Sequence, residues 1–133
     1  MIQGFRECDG NVVINSDSIR RKRIRQERKK GRKKMADKKV VAIDIGGTAI
    51  KSGMWNGRAL EEIKETETLA AQGGEALMER VKGIISSYRE GFDAIGISTA
   101  GEVNTNDGSI YYANSNIPGY TGMPVKKIME ETF

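Results

Sequence analysis

This sequence has no histidine, a single cysteine, and aromatic residues at only 6% of its 133 positions. One cysteine, Cys8, excludes an internal disulfide framework and suits a reducing compartment such as the cytoplasm. No apolar run approaches the length of a membrane span. The basic N-terminus is not followed by the apolar segment of a secretory signal. Two familiar phosphate motifs are missing as well. Gly-x-Gly-x-x-Gly does not occur, and the Walker pattern needs a glycine before its lysine, where Ile50 precedes Lys51. No internal repeat appears, and the length allows one domain with a real core.

The net charge of +4 describes neither part of the chain. Residues 1–34 hold 12 Lys/Arg against 4 Asp/Glu, whereas the rest holds 10 against 14. Within 20–34 there are 11 basic residues and one acid, Glu27. Such runs repel themselves, stay disordered in isolation and often bind nucleic acid electrostatically. No aromatic is interleaved and no second helix accompanies the run, so a helix-turn-helix is not expected. Upstream, only Asn11-Val12-Val13-Ile14 hints at a strand. The Lys/Arg/Gly stretch directly before Met35 also has the purine-rich coding of a translated ribosome-binding site, which makes Met35 the expected natural start. Residues 1–37 thus read as a basic arm, and 38–133 as the folded unit.

The stretch that organises the folded unit runs from Val40 to Trp55. A short Val/Ile-rich run reads as a buried strand, interrupted near its end by Asp44, a charge that is costly to bury alone. Gly46, Gly47 and Thr48 then make a tight turn into a second strand, closed by Asn56-Gly57, the favoured two-residue hairpin turn. A glycine turn leaves backbone N–H groups uncovered, so phosphate oxygens can approach them. Thr48 adds a hydroxyl, and Asp44 could hold a hydrated Mg²⁺ beside those phosphates. Lys51 could add charge or point to solvent. Equally, the stretch could be a plain Gly-Gly hairpin whose aspartate caps its own turn.

Strands are expected over about 39–45, 49–55 and 58–68. Gln72-Gly73-Gly74 breaks the chain before a helix over about 75–89, with Leu77, Val81, Ile84, Ile85 and Tyr88 on one face and Gly91 ending it. A fourth strand covers 92–98. A small hairpin turns at Asn106-Asp107-Gly108, between Val103 and Ile110-Tyr111-Tyr112. Pro124 suits the start of a last helix whose apolar face is Val125, Ile128, Met129 and Phe133. The fold class is α/β: a three-strand meander, then helix, strand, hairpin and helix.

Asp44-Ile45-Gly46-Gly47-Thr48 with Ile50-Lys51 resembles the first phosphate loop of sugar kinases in the actin and Hsp70 ATPase superfamily, and more narrowly the ROK family of repressors and sugar kinases. Residues 95–104 resemble that family's strand and small-residue turn, with Ala100-Gly101 where Pro-Gly is usual. The Asn116-Ile117-Pro118-Gly119-Tyr120 stretch, followed by a short helix, is similar too. The resemblance covers about 38–133 and implies a partial RNase H-like domain. It also implies ATP and Mg²⁺ as cofactors and phosphoryl transfer to a sugar hydroxyl. Asp44 would serve the metal; Gly46, Gly47, Thr48 and Lys51 the nucleotide phosphates; Gly101 and Asn116 the sugar, although Asn116 reads equally as a turn residue before Ile117-Pro118. An oligomer of the complete protein is compatible with the family.

The family's general base lies in a Glu-Asn-Asp signature on a strand past the last helix. No acid of this chain stands in a matching place, so no catalytic residue is assigned. The family's zinc site needs a histidine and several cysteines, which this chain lacks. On this reading the chain is the N-terminal portion of a sugar kinase, inactive by itself, with an open sheet edge and an uncovered apolar face. Two other readings are a ROK transcriptional regulator, for which the arm is too short to form a winged helix, and a nucleic-acid-binding protein acting through 20–34.

Overall fold

The computed structural model describes the backbone of Asn11–Asn15 and residues 37–133 in full. The basic run at 20–34 and the stretch around Met35 lie outside the described residues. Seven strands are described: β1 (Asn11–Asn15), β2 (Val40–Ile45), β3 (Ala49–Trp55), β4 (Leu60–Glu67), β5 (Ala94–Thr99), β6 (Glu102–Val103) and β7 (Ile110–Tyr112). The helices among the described residues are α1 (Gly73–Ser86) and α2 (Val125–Thr132), with a short 3-10 turn at Ala70–Gln72.

The expected meander forms as β2-β3-β4, each pair antiparallel. The chain then crosses through α1 and returns as β5, parallel to β2. This is the α/β order read from the sequence. Two boundaries differ from that reading. The Asn56-Gly57 turn is longer than two residues. Asn56 donates its N–H to the Ala59 carbonyl at 3.1 Å, and its side chain accepts from the Arg58 and Ala59 N–H groups. The helix starts at Gly73 and ends at Ser86. Gly73 and Gly74 do not break it but let its first turn abut the 117–120 loop. The Gly74 N–H donates to the Pro118 carbonyl at 2.8 Å, and a Cβ on Gly74 would lie 2.9 Å from the Gly119 carbonyl oxygen.

The strand hint at Asn11–Ile14 is realised. β1 pairs antiparallel with β5, giving a five-stranded order β1-β5-β2-β3-β4. This corrects two expectations: the outer edge of β5 is not open, and this part of the arm does not stand apart from the folded unit. The β5 edge carries unpaired backbone groups, and a short strand of Asn and β-branched residues satisfies them. At the other edge, β4 presents Glu61, Glu62, Glu65 and Glu67, and a row of like charges discourages pairing with another sheet.

One face of the sheet carries the core. Val41, Ile43 and Ile45 of β2 alternate inward, joined by Ile50 and Met54 of β3 and Ile95 and Ile97 of β5. Leu77, Met78, Val81 and Ile85 of α1 and Val125 and Met129 of α2 close over them in a single apolar cluster. Tyr88, past the helix end, joins the cluster with its hydroxyl 2.8 Å from the buried Ser52 hydroxyl, and it donates to the Glu62 carbonyl at 3.1 Å. Lys64 sits over the Tyr88 ring, 4.1 Å from its centroid. Glu62 has φ 49°, where β4 shifts register against β3, so this pair of hydroxyls ties down a strained bulge. Tyr88→Phe is expected to cost about 1–2 kcal/mol in urea unfolding. Combining it with Ser52→Ala should add little further, because both remove the same bond.

The opposite face has no helix packed on it among the described residues. Ala42, Gly53 and Gly96 lie side by side across three strands and leave a shallow trough of about 460 Å³, walled by Leu60 and Ile63. Gly53 is small for a packing reason: a Cβ there would meet the Leu60 side chain at 2.8 Å.

Candidate functional site

The site sits where β2 and β5 end. They run parallel, with Asp44 beside Ser98 and Ile45 beside Thr99. β2 turns away into β3, whereas β5 leads to the turn at Ala100-Gly101. The Ala100 N–H donates to the Ile45 carbonyl at 2.8 Å, so the two turns lie together. Neighbouring parallel strands whose continuations diverge open a crevice at their carboxyl ends, the usual place for a ligand in such sheets.

In the first turn, Gly46 donates its N–H to the Ala49 carbonyl at 2.9 Å, and a Cβ on it would lie 2.8 Å from that oxygen. Gly46 is therefore required by the turn itself, and its amide is already committed. Gly47 differs. A Cβ there would meet nothing within 4 Å, and its φ is not in the left-handed region. Neither packing nor backbone conformation demands a glycine at this position. The N–H groups of Gly47 and Thr48 and the Thr48 hydroxyl make no hydrogen bond to any described residue. Two adjacent amides with no partner among the described residues are open to an anion.

Asp44 and Lys51 face each other across β2 and β3, and both are exposed. They form no ion pair among the described residues. The same register row continues through Ser98 on β5 and Glu65 on β4. Carboxylate, ammonium and hydroxyl thus line the mouth of the trough, beside the free amides. Ser98 was not singled out from the sequence. Its alternation with Ile95 and Ile97 puts it on the outer face, but only the β2–β5 register puts it beside Asp44.

Gly101 stands in the second turn with φ 100°, and a Cβ on it would lie 2.6 Å from the Tyr112 carbonyl oxygen. Its smallness is explained by the close approach of β7. Below this turn, Thr99 and Tyr120 share a hydrogen bond of 2.8 Å between hydroxyls. Burial pushes the Tyr120 hydroxyl above its ordinary pKa, and the Thr99 bond opposes this. The phenol therefore stays protonated and pins the end of β5. Asn116 is exposed, and its N–H donates to the Asn114 side chain at 3.1 Å. That bond belongs to a turn, and no described residue links the Asn116 side chain to either of the two turns.

The residues present fit a magnesium nucleotide. Among the described residues no three potential metal ligands cluster, so the protein side chains offer at most two carboxylates at any one place. Mg²⁺ is commonly held this way, keeping its waters and sharing phosphate oxygens with one or two carboxylates.

The parallel β2–β5 pair, its crossover helix and the two turns at its carboxyl end define an α/β domain with a crevice at that end. The family is shown by comparison: the ROK family model matches residues 40–133, and the chain belongs to that family. A ROK hexokinase from Thermus thermophilus superimposes with a TM-score of 0.63 at 32% identity, covering 71% of this chain and 32% of its own. A ROK family glucokinase from Streptomyces griseus, solved with glucose and AMPPNP, gives 0.60 at 25% identity, covering 70% and 30%. The N-acetyl-D-glucosamine kinase of Citrobacter koseri is 34% identical over 88 residues, 63% of this chain and 28% of that protein. The chain therefore spans about a third of the length of the relatives it matches.

Proposed function

We propose that residues 38–133 are the phosphate-loop lobe of an ATP-dependent ROK sugar kinase of the cytoplasm, preceded by the basic arm 1–37. The observation that carries this reading is the pair of amides at Gly47 and Thr48 that have no partner among the described residues, beside the exposed Asp44. In the complete protein these amides and the Thr48 hydroxyl hold the β- and γ-phosphates of ATP. Asp44 orients the Mg²⁺ that neutralises them. Lys51 adds positive charge on the same face, and Gly46 shapes the turn. The Ala100-Gly101 turn faces the sugar, with Asn116 as an outlying contact.

Phosphoryl transfer depends mainly on positioning and charge stabilisation. This lobe supplies part of both but no base for the sugar hydroxyl, since no acid here matches the family's signature. The 133-residue chain is accordingly expected to bind nucleotide weakly and to show no ATP-dependent phosphorylation of glucose or N-acetylglucosamine. The kinship with a glucokinase bound to AMPPNP supports the nucleotide.

Amide chemical shifts of the ¹⁵N-labelled chain, titrated with AMPPNP with and without Mg²⁺, test this. The largest shifts are expected at Gly47 and Thr48, dependent on Mg²⁺ and reduced in Asp44→Asn. Shifts centred elsewhere, or none at millimolar ligand, would refute the reading. So would measurable sugar phosphorylation that survives Asp44→Asn.

A further inference from the structure

We infer that Thr68 is the positioning residue that aims the Gly47 amide outward. The inference rests on the phosphate reading above and extends it to a side chain that touches no ligand. Thr68 follows β4, is 0% exposed, and lies 22 residues from the turn that it holds. Its hydroxyl donates to the Gly46 carbonyl at 2.7 Å, and its N–H donates to the Thr48 carbonyl at 2.8 Å.

The consequence follows from peptide geometry. The Gly46 carbonyl and the Gly47 N–H belong to one planar trans peptide, so they point in opposite directions. Drawing that carbonyl back onto Thr68 turns the Gly47 N–H toward the open space in front of the glycine. Without the hydroxyl, a Gly-Gly turn has many peptide orientations open to it, and an anion would have to select one at an entropic cost.

Thr68 is itself anchored. Its carbonyl accepts from Arg80 Nη1 at 3.0 Å, and Arg80 Nη2 holds the Gln72 side chain at 3.0 Å. Arg80 lies on α1, so the turn is tied through Thr68 to the helix that packs the core. The phosphate-facing amide inherits its rigidity from there.

Two substitutions in the 133-residue chain test this, Thr68→Val and Thr68→Ser. The first keeps the shape and removes the hydroxyl; the second keeps the hydroxyl and removes the methyl. Two readouts apply: ¹⁵N relaxation of Gly47 and Thr48 in free protein, and affinity for Mg·AMPPNP from amide shifts. Thr68→Val is expected to loosen Gly47 and weaken binding roughly tenfold, the effect of one lost hydrogen bond. Thr68→Ser is expected to keep Gly47 ordered and bind within about threefold of wild type.

Should Thr68→Val not fold, Arg80→Met carries the same test without touching the turn, with looser Gly47 and weaker binding expected. Wild-type order and affinity in Thr68→Val, or in Arg80→Met where it stands in, would overturn the assignment alone. So would a Thr68→Ser as impaired as Thr68→Val, since the methyl and not the hydroxyl would then matter. If the wild-type chain shows no Mg·AMPPNP shift at Gly47 or Thr48, the phosphate reading falls and the assignment with it.

Discussion

Asp44→Ala, in a protein that continues this chain through the remainder present in its relatives, is expected to lower kcat roughly a hundredfold or more. KM for the sugar should change by less than about threefold, because the proposed work of this carboxylate is on the metal and the charge that develops in transfer. Stability should hardly move. The Asp44 carboxylate is exposed and makes no hydrogen bond or ion pair to any described residue, so truncating it leaves no buried group unsatisfied. The alternative left open by the sequence was an aspartate capping its own turn. Such a cap would accept from the Gly46 or Gly47 N–H, and neither bond is formed: the Gly46 N–H goes to the Ala49 carbonyl, and the Gly47 N–H has no partner among the described residues. A thermal melt beside the kinetics separates the two: a lowered melting temperature with intact turnover would restore the cap.

The features legible in the sequence are those whose causes are local. The Val/Ile run, the Gly-Gly turn and the second strand are encoded within sixteen consecutive residues, and they fold as a hairpin in that register. Apolar positions at helical spacing marked the inner face of α1 correctly, including Leu77, Val81 and Ile85. The three segments that resemble the ROK family fall within the matched region.

What could not be read depends on partners distant in the chain. Thr68 looked like one of several threonines ending a strand, and nothing near it announces Gly46 as its partner. The sequence showed Gly101 as a turn glycine, whereas the reason it must be glycine lies at Tyr112. The role of Asn11–Asn15 was hidden by the basic composition around it, and the choice of β5 as partner is a property of the sheet edge. Gly46 and Gly47 are adjacent and chemically identical, yet one amide closes the turn and the other is free. Only the hydrogen-bond register separates them.

That separation between glycines leads to the second large effect, on stability. Gly101→Ala is expected to destabilise the 133-residue chain by roughly 3 kcal/mol, lowering its melting temperature by about 10 °C or more. Two costs combine. An alanine is strained at φ 100°, and its methyl would sit 2.6 Å from the Tyr112 carbonyl oxygen, a backbone atom that cannot swing aside as a side chain would. Relief requires moving β7 away from β6, which breaks the register between Glu102 and Tyr112. Gly47→Ala is the matched control. With nothing within 4 Å of its Cβ position and no left-handed φ, it should melt within about 1 °C of wild type. Its expected defect is in binding alone, with Mg·AMPPNP affinity falling about tenfold as the methyl enters the space proposed for phosphate. Calorimetry on the two variants, with nucleotide titrations on the second, decides both points. A Gly101→Ala chain that melts like wild type would mean that the second turn relaxes freely. A Gly47→Ala chain that binds like wild type would mean that phosphate does not approach through that opening.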